Sequence, residues 1–115
     1  MAQSAEAWTR ALLPQFLDMT ASRQIEIDIE RGALEAGDDP VPVALEISKV
    51  VHKIAGTAAS FGFSGLGSQA QRVEELCNYI TTLSGPALSQ AVHQHLLPAL
   101  DDLGRELDNA LADEK

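Results

Sequence analysis

Apolar residues recur in steps of three and four along nearly the whole chain, the period of helices that each bury one face. Ile47, Val51, Ile54, Ala58 and Phe61 form one seam, and Leu66, Ala70, Val73, Cys77 and Ile80 form a second. Leu88, Val92, Leu96, Leu100, Leu103, Leu107 and Leu111 form a third. Upstream, Phe16, Leu17, Thr20, Ile27 and Leu34 mark the core face of a helix that starts near Pro14 and runs to about Ala36. Residues 4–13 predict a shorter helix ahead of it, with Ser4 as N-cap and Trp8, Leu12 and Leu13 as anchors; Pro14 suits the first turn of the helix that follows. Ile25-Glu26-Ile27-Asp28-Ile29-Glu30 alternates with period two and imitates a strand. No turn signal flanks it and no partner strand exists, so it is read as helix.

Breakers divide these seams. Gly37-Asp38-Asp39-Pro40-Val41-Pro42 is a loop by composition, and the next helix is expected from about Val43 to Phe61, with Gly62 as its stop. Phe63-Ser64-Gly65 turns the chain, Ser84-Gly85 ends the third long helix, and Pro86 opens the fourth. Pro98 lies inside that last helix and is expected to kink it by freeing the Gln94 carbonyl. Four long amphipathic helices with short connections predict an all-α protein folded as an antiparallel up-down four-helix bundle. At 115 residues the chain is read as one domain over 1–115. It shows no internal repeat and no low-complexity segment.

Composition narrows the function classes. No apolar run approaches the ~20 residues of a membrane helix, and no basic segment followed by an apolar core suggests a secretory signal. Cys77, the single cysteine, cannot form an internal disulfide and is expected to pack as a small apolar residue in a reducing cytoplasm. A net charge of −9 argues against nucleic-acid binding. The distribution is more telling: residues 47–73 contain no acid but hold Lys49, Lys53 and Arg72, so this window is +3 while the remainder is −12.

His52 sits in that window, about a quarter turn off the apolar seam of its helix. Its helical neighbours are Ser48, Lys49, Ala55, Gly56 and Ala59, all small except Lys49. A glycine inside a helix costs about 1 kcal/mol against alanine. Side chains lean toward the helix N-terminus, so the residue at i+4 tends to cover residue i; Gly56 therefore leaves the imidazole of His52 open to a partner. Other constellations fail. His93 and His95 are about 200° apart on their helix and cannot share a metal. Residues 62–67 hold glycines without the phosphate-loop spacing or a preceding strand. No cysteine–histidine pair or serine triad stands out.

The stretch His52-Lys53-Ile54-Ala55-Gly56-Thr57-Ala58-Ala59-Ser60-Phe61-Gly62-Phe63 resembles the signature of histidine-containing phosphotransfer (HPt) domains, roughly His-x-hydrophobic-Lys-Gly-small-small-x-x-hydrophobic-Gly. Ser60-Phe61-Gly62-Phe63 is similar to the phosphotransfer domain of chemotaxis histidine kinases. Ala55 departs from the pattern, since the family usually has lysine there. The resemblance implies the same bundle, with a short extra N-terminal helix across one end. It implies that His52 is the phosphoacceptor through Nε2, and that Glu74, 22 residues on, hydrogen-bonds the other ring nitrogen. Histidine is largely neutral at cytoplasmic pH and keeps a nucleophilic lone pair. Lys53, Lys49, Gly56 and Gln71 would form the environment of the phosphoryl group, and Ala55, Ala59 and Phe63 would dock a receiver domain. A phosphoryl group brings about −1.5 to −2 charge, which suits the one window without acids.

The function so implied is a phosphorelay intermediate in two-component signalling. It would take a phosphoryl group from the phosphoaspartate of a response-regulator receiver domain, or of a hybrid histidine kinase, and pass it to another receiver. It would be a carrier without kinase activity of its own, because the His-Glu-x-x-x-Pro type motif of dimerising kinases is missing after His52. No cofactor is implied; Mg²⁺ belongs to the receiver. A monomeric, cytoplasmic, bacterial protein is expected, without nucleic-acid or membrane partners. Two rivals remain: the phosphotransfer domain of a chemotaxis-type kinase, or a binding-only bundle that has lost phosphotransfer.

Overall fold

The computed structural model describes the backbone of residues 2–112 and the side chains of residues 7–112. Helix α1 spans Ala2–Glu35, α2 spans Pro40–Ala58, α3 spans Ser64–Ile80, α4 spans Gly85–Ala91 and α5 spans Leu97–Ala112. A 3₁₀ turn, Ala59–Phe61, extends α2, and a widened turn, Val92–Leu96, joins α4 to α5 as one rod. No strand occurs among the described residues. Helix α2 packs most extensively on α3, α3 and α1 both pack on α5, and α1 closes the ring against α2. The predicted seams meet inside this ring. Ile47, Val51, Ile54, Leu66, Val73, Cys77, Ile80, Leu96, Leu103 and Leu107 are all but inaccessible.

Two boundaries differ from expectation, and the distortion expected at Pro98 takes a particular form. The short helix over 4–13 is not separate: α1 runs through Pro14 without a break. Proline costs an interior helix one hydrogen bond and a steric clash. Packing on both sides of Pro14 offsets this: before it Leu13 lies against the core and the Trp8 ring stacks 6.2 Å from Phe61, and after it Phe16 and Leu17 are buried. The helix already includes Ser4, whose N-cap role falls outside the described side chains. Helix α2 starts at Pro40, three residues early, because Asp39 caps it by accepting from the Val41 N–H at 3.2 Å. Prolines 40 and 42 fall where the N–H groups have no helical acceptor. Finally, Pro98 distorts the helix as a widened turn just before it, in which the Leu97 N–H reaches back to the Val92 carbonyl. Widening this turn moves its carbonyls away from the proline ring, which would clash with that of Gln94.

Two glycines set the helix ends that position the site. Gly37 (φ 89°) and Gly62 (φ 85°) adopt the left-handed conformation, which side chains other than glycine rarely tolerate. At Gly62 the Phe63 N–H donates to the Ala58 carbonyl and the Gly62 N–H to that of Ala59, at 3.0 and 3.1 Å. Asp38 and Gly37 repeat the pattern on Ala33 and Leu34. The chain thus turns sharply after α2, and α3 packs back against it with room for no more than a methyl group at Gly67. A Cβ at the buried Gly67 would stand 3.7 Å from that of Ala58 and 3.9 Å from the Ala55 carbonyl.

Candidate functional site

The site grows out of this close α2–α3 approach. Ala58 and Gly67 meet at one end of the pair. Two turns along, His52 meets Glu74, and one turn further the Ser48 hydroxyl donates to the Asn78 side-chain carbonyl at 3.4 Å. The His52 Nδ1 lies 2.8 Å from Glu74 Oε2. A carboxylate can only accept, so Nδ1 carries the hydrogen and Nε2 of the neutral ring holds the lone pair. The His52 side chain is 74% exposed, whereas that of Glu74 is 24% exposed. The carboxylate is wedged in the helix seam and the imidazole stands out from it. A shallow depression there is lined by Ser48, Lys49, His52, Lys53 and Glu74.

The remaining predicted residues divide. Lys49 is already paired, its Nζ 3.1 Å from Glu46 Oε1 on the same helix. Lys53 has no carboxylate partner among the described residues and is exposed beside His52. Gly56 is exposed, and a Cβ built on it would meet nothing within 4 Å. Gln71 is exposed on α3 and does not line the depression. Ala59 is exposed, while Ala55 is half-buried against the core. Phe63, expected on the docking surface, is half-buried, with its ring stacked 5.5 Å from Phe16. Sequence reasoning missed the Ser48–Asn78 contact. Its signal was available, because each lies one helical turn from a predicted site residue.

Beneath Glu74, one turn along α3, the Cys77 side chain is fully buried. Burial, with the Glu74 carboxylate adding to it, pushes this thiol up to about 12. It is a packed, unreactive thiol.

Residues 11–114 match the family model for the Hpt domain, nearly the whole chain. The chain belongs to the Hpt-domain family. Histidine phosphotransfer in two-component phosphorelays is the activity that membership carries, and Hpt domains are phosphocarriers that work with receiver domains and histidine kinases. Neither the curated proteins nor the solved structures include a match to it. Among the described residues, no helix of this Hpt domain is long and apolar enough to cross a membrane.

Proposed function

We propose that this Hpt domain carries the phosphoryl group on Nε2 of His52, taking it from an aspartyl phosphate of one receiver domain and giving it to another. The observation that carries the reading is the 2.8 Å pairing of Nδ1 with Glu74 on a ring that is otherwise exposed. Nε2 attacks phosphorus, the bond from phosphorus to the aspartate oxygen breaks, and the aspartate leaves as a carboxylate. Nε2 has no proton to lose. The Nδ1–H stays on its hydrogen bond, and Glu74 offsets the positive charge that develops on the ring, as an orienting carboxylate does in a triad. The receiver would bring Mg²⁺. The carrier's own share is a placed nucleophile, which suits a reaction governed by position and electrostatics.

Lys53 would attract the anionic phosphoryl group and Lys49 would contribute less, being neutralised by Glu46. Gln71 would reach the phosphoryl group only after moving toward it. The open space over Gly56 supports contact by a partner, because nothing within this chain needs a glycine there. Ala55 and Ala59 would meet the receiver, with Phe63 supporting them from the Phe16 stack. We read the chain as one antiparallel up-down domain, acting as a cytoplasmic monomer.

The test is transfer from a radiolabelled phosphorylated receiver with Mg²⁺, comparing the native protein with His52→Gln. Acid-labile, base-stable label on the native protein alone is expected. Label that persists in His52→Gln would overturn the assignment. Label obtained only from a chemotaxis-type kinase would replace the relay with that reading.

A further inference from the structure

One large apolar side chain of α2 faces outward. Leu45 is 46% exposed in a helix whose other branched aliphatic residues are buried or half-buried. It stands seven residues before His52. Two turns separate them, so the two side chains share a face within about 20° and lie about 10.5 Å apart along the axis. The next outward residue, Lys49, has its charge met by Glu46. Leu45 is therefore flanked by a neutralised pair and lies in line with the nucleophile.

The size of any docked donor decides what covers it. The reaction requires the donor's phosphorus to touch Nε2, which centres the interface on His52. Even a small transient interface covers several hundred Å² of each partner, and a standard one about 800 Å², a disc of roughly 16 Å radius. A footprint of either size centred on His52 includes Leu45. A solvent-exposed leucine inside an interface becomes desolvated, and association is favoured by the apolar area so removed from water. The centre of the footprint has only small or polar groups: Gly56, Ala59, Ser48, Lys53. Leu45 is the large apolar group available to it on this helix.

We propose that Leu45 is the apolar anchor by which this chain holds a receiver domain while His52 reacts, an inference that rests on the phosphocarrier reading above. The receiver that fits carries an apolar patch about 10 Å from its phosphoaspartate. Leu45 touches no reacting atom, so it acts on association and not on the chemical step.

The experiment compares two donors on native protein, Leu45→Ala and Leu45→Met. The first is phosphoramidate, a small molecule that needs no docking: its P–N bond breaks, ammonia leaves, and Nε2 takes the phosphoryl group. The second is whichever of a panel of acetyl phosphate-charged receiver domains transfers fastest to the native protein. The expected result is that Leu45→Ala raises the half-saturating receiver concentration about tenfold, leaves the saturated rate unchanged, and takes label from phosphoramidate as the native protein does. Leu45→Met restores the receiver affinity. Equal half-saturation for native and Leu45→Ala protein overturns the proposal, as does a fall in phosphoramidate labelling. So does label from phosphoramidate with none from any receiver, or a native dimer that Leu45→Ala dissociates. Failure of both donors on native protein instead overturns the phosphocarrier reading itself.

Discussion

A helical histidine becomes a defined nucleophile only when something settles which ring nitrogen holds the proton. Here the carboxylate is the more buried partner and the imidazole the more exposed, so the ring is held from below and open from above. Helix α2 packs more extensively on α3 than on any other helix, and a single hydrogen bond from His52 to Glu74 spans the two. Removing the orienting group should leave the nucleophile present but unplaced. Carboxylates that orient metal-bound histidines account for about 10–100-fold in affinity or activity, and the same orienting task sets the scale here. Glu74→Ala is expected to slow single-turnover transfer to His52 by about that factor. Glu74→Gln should fall between, because an amide oxygen still accepts from Nδ1–H but carries no charge to offset the ring. Nitrogen NMR of His52 gives the independent readout: the Nδ1–H tautomer should lose population in Glu74→Ala. Unchanged rate and tautomer in both variants would leave Glu74 with no part in the site.

At the scale of elements, the instructive segment is Ile25–Glu30, whose alternation imitates a strand. Of these three isoleucines of α1 only Ile27 points inward, at 4% exposure, while Ile25 and Ile29 are more than half exposed. A helix carries residues two apart to nearly opposite sides, so one member of the trio anchors and the others do not. Ile27→Ala should therefore cost about 2–5 kcal/mol of unfolding free energy, and Ile29→Lys should stay within about 0.5 kcal/mol. Equal costs in a denaturant titration would contradict the helical reading. The seams were legible because periodicity reports burial directly. Pro14 and Pro98 were not, because a proline predicts strain without saying how it is absorbed: Trp8 and Leu13 hold one site together, and a widened turn relieves the other. The same division runs through the site. The pairing of His52 with Glu74 and the open space over Gly56 were readable from family resemblance and spacing, and the i,i+3 pairing of Lys49 with Glu46 was open to the same kind of reading. Phe63 was not, since its partner Phe16 lies on another helix and is brought to it only by the fold.

For the whole molecule, His52 is the exposed end of a continuous stack: it rests on Glu74, and Glu74 lies one turn above Cys77 in the sealed core. The buried end of that stack ties global stability to alkaline pH. Burial chiefly, and the negative charge of Glu74 in addition, raise the Cys77 thiol from 9.0 to about 12 in the folded protein. Below the unfolded value both states hold the proton and the folded state keeps its full stability. Above it the unfolded chain loses the proton while the folded chain retains it, so unfolding becomes progressively easier until the folded thiol itself ionises. Stability should fall from about pH 9 toward pH 12, by up to about 1.4 kcal/mol per pH unit. Lysine and tyrosine titrate in the same range, so the quantity to measure is a difference. Urea unfolding of native protein and Cys77→Ala at pH 8 and pH 10 should show the variant less stable at pH 8, from the lost sulfur, yet less sensitive to the change. Parallel losses in the two proteins would mean that the core opens to hydroxide before it unfolds. The helix seam that orients His52 would then be looser than its packing implies.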